Sequence, residues 1–126
     1  MRAWKWVGVD SALAAHREQL SLFGGGDGIR DPGLLESALA RPQHLACYGD
    51  PDLAELAASY GIAKNHPFVD GNKRVALMVC EALIMKNGSS LDARNTELSL
   101  IFLDLAAGEI SEQELASWLR ERIAPA

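Results

Sequence analysis

The amino-acid sequence predicts an all-α fold, a single compact domain of about six helices around one buried central helix. Capping residues and helix stop signals divide the chain into helices with short connections, which leaves little of it for strands. Residues 75–85 contain one charged residue, Glu81, and are otherwise apolar. A helix that is apolar almost all round belongs in the centre of a domain. At 126 residues the chain is long enough for one such core, so we expect one domain over residues 1–126.

Three helices are predicted ahead of the central one, and each opens at an aspartate that can accept hydrogen bonds from free backbone N–H groups. Their predicted ranges are 10 to about 22, 31 to about 42, and 50 or 52 to 66. The glycine-rich residues 24–28 stop the first helix. Asp31 is followed by Pro32, which suits the first helical position. Pro67 ends the third helix at His66, because proline disfavours helical geometry in the residue before it.

The central helix and two further helices complete the predicted domain. Their predicted ranges are 72–87, 95 or 96 to 108, and 111–123. Asn72 is a good N-cap for the central helix, and the Asn-Gly pair at 87–88 is a usual stop. The last helix opens with a capping box at 111–114. Residues 4–9 form either a short strand or an extended arm, and the sequence leaves both open.

The net charge, the distribution of apolar residues and the cysteines limit the class of protein. A general nucleic-acid binder needs a basic face, so the formal net charge of -5 predicts no direct nucleic-acid binding. The first residues lack the apolar run of a signal peptide, and the segment 75–85 is too short to span a bilayer. Cys47 and Cys80 each lie among apolar neighbours, which is typical of reduced core thiols. We therefore expect a cytoplasmic protein without a membrane partner.

Residues 66–74 read His-Pro-Phe-Val-Asp-Gly-Asn-Lys-Arg and place a polar loop directly before the central helix. A helix N-terminus has unpaired N–H groups and a partial positive charge, so it attracts anions. Gly71 permits a positive φ or a close backbone approach, and Asn72 adds a side-chain amide. Lys73 and Arg74 stand where the helix dipole disfavours cations by about 0.3–1 kcal/mol, so a bound anion would explain them. These four residues are predicted to bind a polyphosphate.

Two more side chains of this loop indicate phosphoryl-transfer chemistry. Asp70 is a candidate Mg²⁺ ligand, because a single carboxylate beside phosphates leaves the other positions to waters and phosphate oxygens. His66 is a candidate base, since an imidazole can accept the proton of an attacking hydroxyl. Each residue alone is ordinary loop or surface chemistry. Their occurrence together, next to a buried helix, predicts an active site whose catalytic residues are His66, Asp70 and Arg74.

The other histidines, tryptophans and arginines define no second site. His16 and His44 have no carboxylate or cysteine at metal-ligand spacing, so each is expected at the surface or in packing. The tryptophans are expected to be packing residues. Arg30, Arg41 and Arg94 can each reach a phosphate, a target or an exposed salt-bridge partner, and the sequence does not decide between these.

The string at 66–74 resembles the signature of the Fic/Doc superfamily. Its Fic form reads His-Pro-Phe, any residue, Asp or Glu, Gly-Asn-Gly-Arg, and then a second arginine three positions later. Here Lys73 replaces the second glycine, and Leu77 stands where Fic proteins carry the second arginine. Both departures resemble the Doc ("death on curing") branch, the toxins of toxin–antitoxin systems, and residues 24–38 are also similar to Doc-like toxins. The resemblance implies a compact Fic/Doc-type domain.

The Doc resemblance implies a protein kinase that uses ATP and Mg²⁺. Such a toxin transfers the γ-phosphate to a hydroxyl of a translation protein, an elongation factor Tu-like target, and halts translation. By this analogy His66 is the base, Asp70 the Mg²⁺ ligand, and residues 71–74 the phosphate cradle. A separately encoded Phd-like antitoxin is the implied partner.

Two other functions stay open at this point. Pro67 and Gly71 match the Fic form, so AMP transfer to a protein hydroxyl is the alternative activity. The other alternative is a non-catalytic relative that binds nucleotide without turnover.

Overall fold

The computed structural model describes residues 3–126, which form helices and one small sheet. The elements in chain order are α1 (Val9–Phe23), α2 (Pro32–Tyr48), α3 (Leu53–Ala58), α4 (Ile62–Asn65), α5 (Asn72–Lys86), β1 (Ser89–Leu91), α6 (Asn95–Ala106), α7 (Glu112–Arg120) and β2 (Ile123–Pro125). The all-α prediction is confirmed. Within the described range, no helix combines the length and the hydropathy that crossing a membrane requires.

Helix α5 is the centre of the core, as predicted. Helices α1, α3, α4 and α6 all pack against it. Its buried apolar residues are Val75, Ala76, Val79, Cys80, Leu83 and Ile84. Each fully buried Val, Leu or Ile stabilises the fold by roughly 1.5–3 kcal/mol. The first turn of α5 is therefore held rigidly, because the turns that follow it are anchored in the core.

The predicted third helix is in fact two helices. Helix α3 ends at Ala58, and α4 begins at Ile62. Between them Tyr60 turns into the core, where its hydroxyl accepts a hydrogen bond from the Val7 N–H at 3.2 Å. Burial raises the pKa of Tyr60 to about 12. The short helix α4 follows this inward turn and leads directly into the polar loop that begins at His66.

Helix α2 continues through Pro42 to Tyr48, so its predicted end near Pro42 was wrong. A proline removes one backbone hydrogen bond from a helix. Pro42 is buried, however, and Leu45 on the following turn packs against the core, so tertiary packing outweighs the local preference. Cys47 on this turn is exposed, which corrects its prediction as a core thiol. Cys80 is buried as expected, both cysteines are free, and burial raises the pKa of the Cys80 thiol.

The last predicted helix ends early, because Ile123 lies in a strand. Helix α7 stops at Arg120, and β2 pairs antiparallel with β1. Leu91 stands opposite Ile123 in this pair, and both side chains pack against the core. Strands of three residues are too short to show the alternation that predicts a strand.

Residues 3–8 form an extended arm rather than a strand. The Lys5 N–H donates to Asn87 Oδ1 at 3.0 Å, and Asn87 Nδ2 donates to the Lys5 carbonyl at 2.9 Å. Val7 is buried at the end of the arm. The arm is thus tied to the C-terminal end of α5, away from the polar loop.

Candidate active site

An open cleft of about 480 Å³ lies at the N-terminus of α5. The residues predicted for the active site all line it: His66, Asp70, Gly71, Asn72, Lys73 and Arg74. The other residues that line it are mostly apolar and come from the same loop, from α5 and from α6: Val69, Leu77, Ser99, Phe102 and Leu103. The cleft therefore combines a polar, cationic floor with an apolar side.

The turn that opens α5 is built around Gly71. This residue has φ 81 and is the N-cap of the helix, so the prediction of Asn72 as the cap was wrong. Asn72 is buried instead: its Oδ1 accepts from the Phe68 N–H at 2.9 Å, and its Nδ2 donates to the Phe68 carbonyl at 3.0 Å. These two bonds close the loop 68–72. The side-chain amide of Asn72 is used in the loop, and its backbone belongs to the first turn of α5.

His66 lines the cleft, and hydrogen bonds to its backbone hold it there. It follows α4 with φ 50, in the left-handed region that residues other than glycine seldom adopt. Arg30 Nε donates to the His66 carbonyl at 2.7 Å, and Arg30 Nη2 donates to the Asn65 carbonyl at 2.9 Å. The His66 side chain stays exposed. Arg30, which the sequence left undecided, thus fixes the backbone that carries the candidate base.

Asp70 is exposed, and its carboxylate is partly engaged by backbone donors. Oδ1 accepts from the Gly71 N–H at 2.8 Å, and Oδ2 lies 3.4 Å from the Gly26 N–H. The glycine-rich loop passes so close that a Cβ on Gly25 would be 2.7 Å from Asp70 Oδ2. Because Gly25 has no side chain, the loop can pass this close without displacing the Asp70 carboxylate from the cleft.

The donor set fits Mg²⁺ bound through a nucleotide. Among residues 3–126 no three His, Cys, Asp or Glu side chains gather into a metal cage. Mg²⁺ commonly takes one or two carboxylates and completes its shell with waters and phosphate oxygens. Asp70 supplies one exposed carboxylate beside the anion-attracting N-terminus of α5.

Lys73 and Arg74 are the open cations of the cleft. Both are exposed, and none of the ion pairs found in the described range involves either one. By contrast, Arg41 pairs with Glu112 at 2.9 Å. The Arg74 guanidinium lies over the Phe23 ring, 4.0 Å from its centroid. This contact orients the guanidinium plane while its N–H edge stays available to phosphate oxygens.

Comparisons with known proteins show the family of this chain. A sequence model of the Fic/DOC family matches residues 6–84. The chain belongs to the Fic/Doc family. It is 33% identical to "Protein kinase doc" of Escherichia phage P1 over 117 residues, which cover 90% of this chain and 92% of that protein. It is 43% identical to "Toxin Doc" of Mycolicibacterium smegmatis over 75 residues, which cover 56% of this chain and 58% of that protein.

In this Fic/Doc chain, helix α1 contributes residues that sequence reasoning missed. His16, expected at the surface or in packing, is buried, and its Nε2 lies 3.0 Å from the Asp70 carbonyl. Gln19 is buried against Gly71, and Phe23 supports Arg74. The available signal was their helical spacing, because His16 and Gln19 continue the buried face that starts at Ala12.

Proposed function

We propose that this chain is a Doc-like toxin that transfers the γ-phosphate of ATP to a hydroxyl of a translation protein, similar to elongation factor Tu, and so halts translation. The observation that carries the proposal is the convergence of His66, Asp70 and the unpaired cations of α5 on one open cleft. The names of the two relatives, "Protein kinase doc" and "Toxin Doc", support the kinase and toxin parts of this proposal.

The proposed step uses few groups, because phosphoryl transfer depends mainly on positioning and charge neutralisation. His66 accepts the proton of the target hydroxyl while that oxygen forms a bond to the γ-phosphorus. The bond from this phosphorus to the β,γ-bridging oxygen breaks, and ADP leaves with the electron pair. Lys73, Arg74 and the N–H groups of the first turn of α5 bind the phosphate oxygens.

Asp70 is the residue proposed to hold Mg²⁺. When bound, the ion supplies positive charge that neutralises the phosphate oxygens. The bonds from the Gly71 and Gly26 N–H groups orient the Asp70 carboxylate toward the cleft. An Asp70→Asn variant keeps the shape of the side chain and removes its charge, so we expect it to need far more Mg²⁺ for the same rate.

Two residues favour transfer of the γ-phosphate over transfer of AMP. Leu77 gives the cleft an apolar wall at the position of the second Fic arginine. Lys73 places a cation where the Fic form has glycine. The phosphates of a bound triphosphate therefore meet this positive charge at the N-terminus of α5, and not at the position of the second Fic arginine. The Fic-like Pro67 and Gly71 keep AMP transfer as the alternative to be tested.

Incubation of the protein and a bacterial lysate with ATP labelled at the α- or the γ-phosphate tests the proposal. We expect one protein band to be labelled from γ-labelled ATP and none from α-labelled ATP. Label from α alone would show AMP transfer, and label from neither would support the non-catalytic alternative. Lys73→Gly should lower transfer of the γ-label, whereas Lys86→Gly, at the far end of the same helix, should not.

The toxin part of the proposal is tested in cells, and its implied partner is a Phd-like antitoxin. Expression of the wild-type chain should stop bacterial growth and protein synthesis, and co-expression of the separately encoded antitoxin should restore both. The His66→Ala variant should be harmless at the same expression level. Unimpaired growth and translation in cells that express the wild-type chain would contradict the toxin proposal.

A further inference from the structure

Buried polar side chains converge on the loop that opens α5. The described residues include four such side chains: His16, Gln19, Ser59 and Asn72. Three of them face this loop. His16 approaches the Asp70 carbonyl, Asn72 bonds to Phe68, and Gln19 lies against Gly71. Ser59 instead donates to a carbonyl of its own helix.

Gln19 occupies the space that a side chain on residue 71 would need. A Cβ built on Gly71 would lie 2.9 Å from Gln19 Oε1 and closer still to Cδ and Nε2. Gly71 also has φ 81, which disfavours other residues independently of space. The glycine at this position is thus required twice, by its backbone angle and by the amide of Gln19.

The same amide carries an unpaired donor. Gln19 is 2% exposed, and no group in the described part of the chain accepts a hydrogen bond from its Nε2. A buried donor without a partner costs about 1–3 kcal/mol. A methionine of similar length would fill this space without that cost. An uncompensated group beside a candidate active site therefore calls for an explanation from function.

We propose that Gln19 is a positioning residue for the phosphate-binding turn and acts through Gly71. When phosphate is held at the N-terminus of α5, Gln19 Nε2 donates to a backbone carbonyl of the turn. The turn's own N–H groups are then fixed toward the phosphate. The inference rests on the proposed function, because it assumes that this cleft binds ATP.

Gln19→Met tests the role of the amide, because it keeps the length of the side chain and removes only its polar end. We expect an unchanged or higher midpoint of thermal unfolding, since an unpaired buried donor is lost. The dissociation constant for ATP, measured by calorimetry, should rise about tenfold, which corresponds to one net hydrogen bond. In turnover the KM for ATP should rise by a similar factor, while kcat changes less than twofold. A purely structural glutamine would not separate binding from stability in this way.

Gln43→Met is the matched control, because Gln43 is exposed on α2. This variant should bind ATP like the wild type. If Gln19→Met also bound ATP like the wild type, or lost affinity only in step with its thermal stability, the inference would be overturned. If the wild-type chain itself bound no ATP, the proposed function would fail and this inference with it.

The contact between Gln19 and Gly71 is tested by a pair of variants. Gly71→Ala should lower the midpoint of thermal unfolding, because its Cβ meets the Gln19 amide; stability is the readout here, since loss of the Gln19 amide itself is expected to weaken ATP binding. Adding Gln19→Ala should recover part of that loss of stability, since the shorter side chain makes room for the methyl group. A double variant no more stable than Gly71→Ala would show that the backbone angle alone requires glycine, which contradicts the proposed contact.

Discussion

The His16 ring lies parallel to the Phe68 ring, with 4.1 Å between their centroids and 9° between their planes. The same imidazole reaches the Asp70 carbonyl at 3.0 Å through Nε2. Phe68 is 1% exposed and anchors the loop in the core. One buried side chain of α1 thus fixes both the anchor of the loop and the backbone of the candidate Mg²⁺ ligand.

Replacing His16 by Phe should separate these two contacts. The stacked ring is kept, but the hydrogen bond to the Asp70 carbonyl is lost, so we expect a stability cost of about 0.5–1.5 kcal/mol. The transfer rate should fall about tenfold, because the backbone of Asp70 loses its support. His16→Ala also removes the ring and should cost about 3 kcal/mol or more. Urea unfolding and the initial rate with γ-labelled ATP measure the two effects.

His44→Phe serves as the control, since His44 is an exposed residue of α2. It should change neither the free energy of unfolding nor the transfer rate. Wild-type activity in His16→Phe would mean that the Asp70 backbone needs no support from α1.

Replacing His66 by Ala should abolish transfer while sparing nucleotide binding. Loss of a general base lowers the rate by about 10²–10⁴-fold. The imidazole is exposed and has no part in the core, so folding and the dissociation constant for ATP should stay close to the wild type. Single-turnover kinetics and calorimetry measure these separately, with His44→Ala as the control. A fully active variant would remove His66 from its assigned role.

The sequence predicted the parts of the site that are close together along the chain. His66, Asp70 and Lys73 lie within one loop and one helical turn, so their shared cleft follows from local geometry. His16 could not be placed, because its partners are 52 and 54 residues away and only tertiary packing brings them together. The fold shows the same division, since α5 was predicted from its own apolar run. The helix through Pro42 depends on distant core contacts and was missed.

Replacing Arg30 by Ala should disturb His66 without touching the cleft side chains. Arg30 donates to the carbonyls of Asn65 and His66, where the backbone adopts φ 50. Without these bonds the left-handed residue should relax, and we expect transfer to fall about tenfold while ATP affinity holds. Arg30→Lys should restore little, because an ammonium cannot span the two carbonyls as a guanidinium does. Arg17→Ala, an exposed arginine of α1, should be neutral in the same assay.

The ion pair between Asp52 and Arg120 predicts a defined dependence of stability on pH. Arg120 Nε donates to Asp52 Oδ2 at 2.6 Å, which links α7 to the start of α3 and holds the pKa of the Asp52 carboxyl below its usual value. Because the pKa of Asp52 is lower in the folded state, its ionised carboxylate stabilises the fold fully at pH values above the unfolded-state pKa. This stabilisation is lost as the pH falls through the folded-state pKa. Since both side chains are about half exposed, Arg120→Ala should cost at most about 1 kcal/mol at pH 7.

Asp52 should matter more than its partner, because it also caps α3. Its Oδ1 accepts from the Glu55 N–H at 2.8 Å, so Asp52→Ala should cost about 1–2 kcal/mol at pH 7. Asp52→Asn keeps a capping oxygen and should lose only the ionic part. Urea unfolding at pH 7 and again near pH 2.5 separates the two contributions. The difference in the free energy of unfolding between the wild type and Arg120→Ala should shrink toward zero in acid. An undiminished difference would show that Arg120 stabilises α7 by packing rather than by charge.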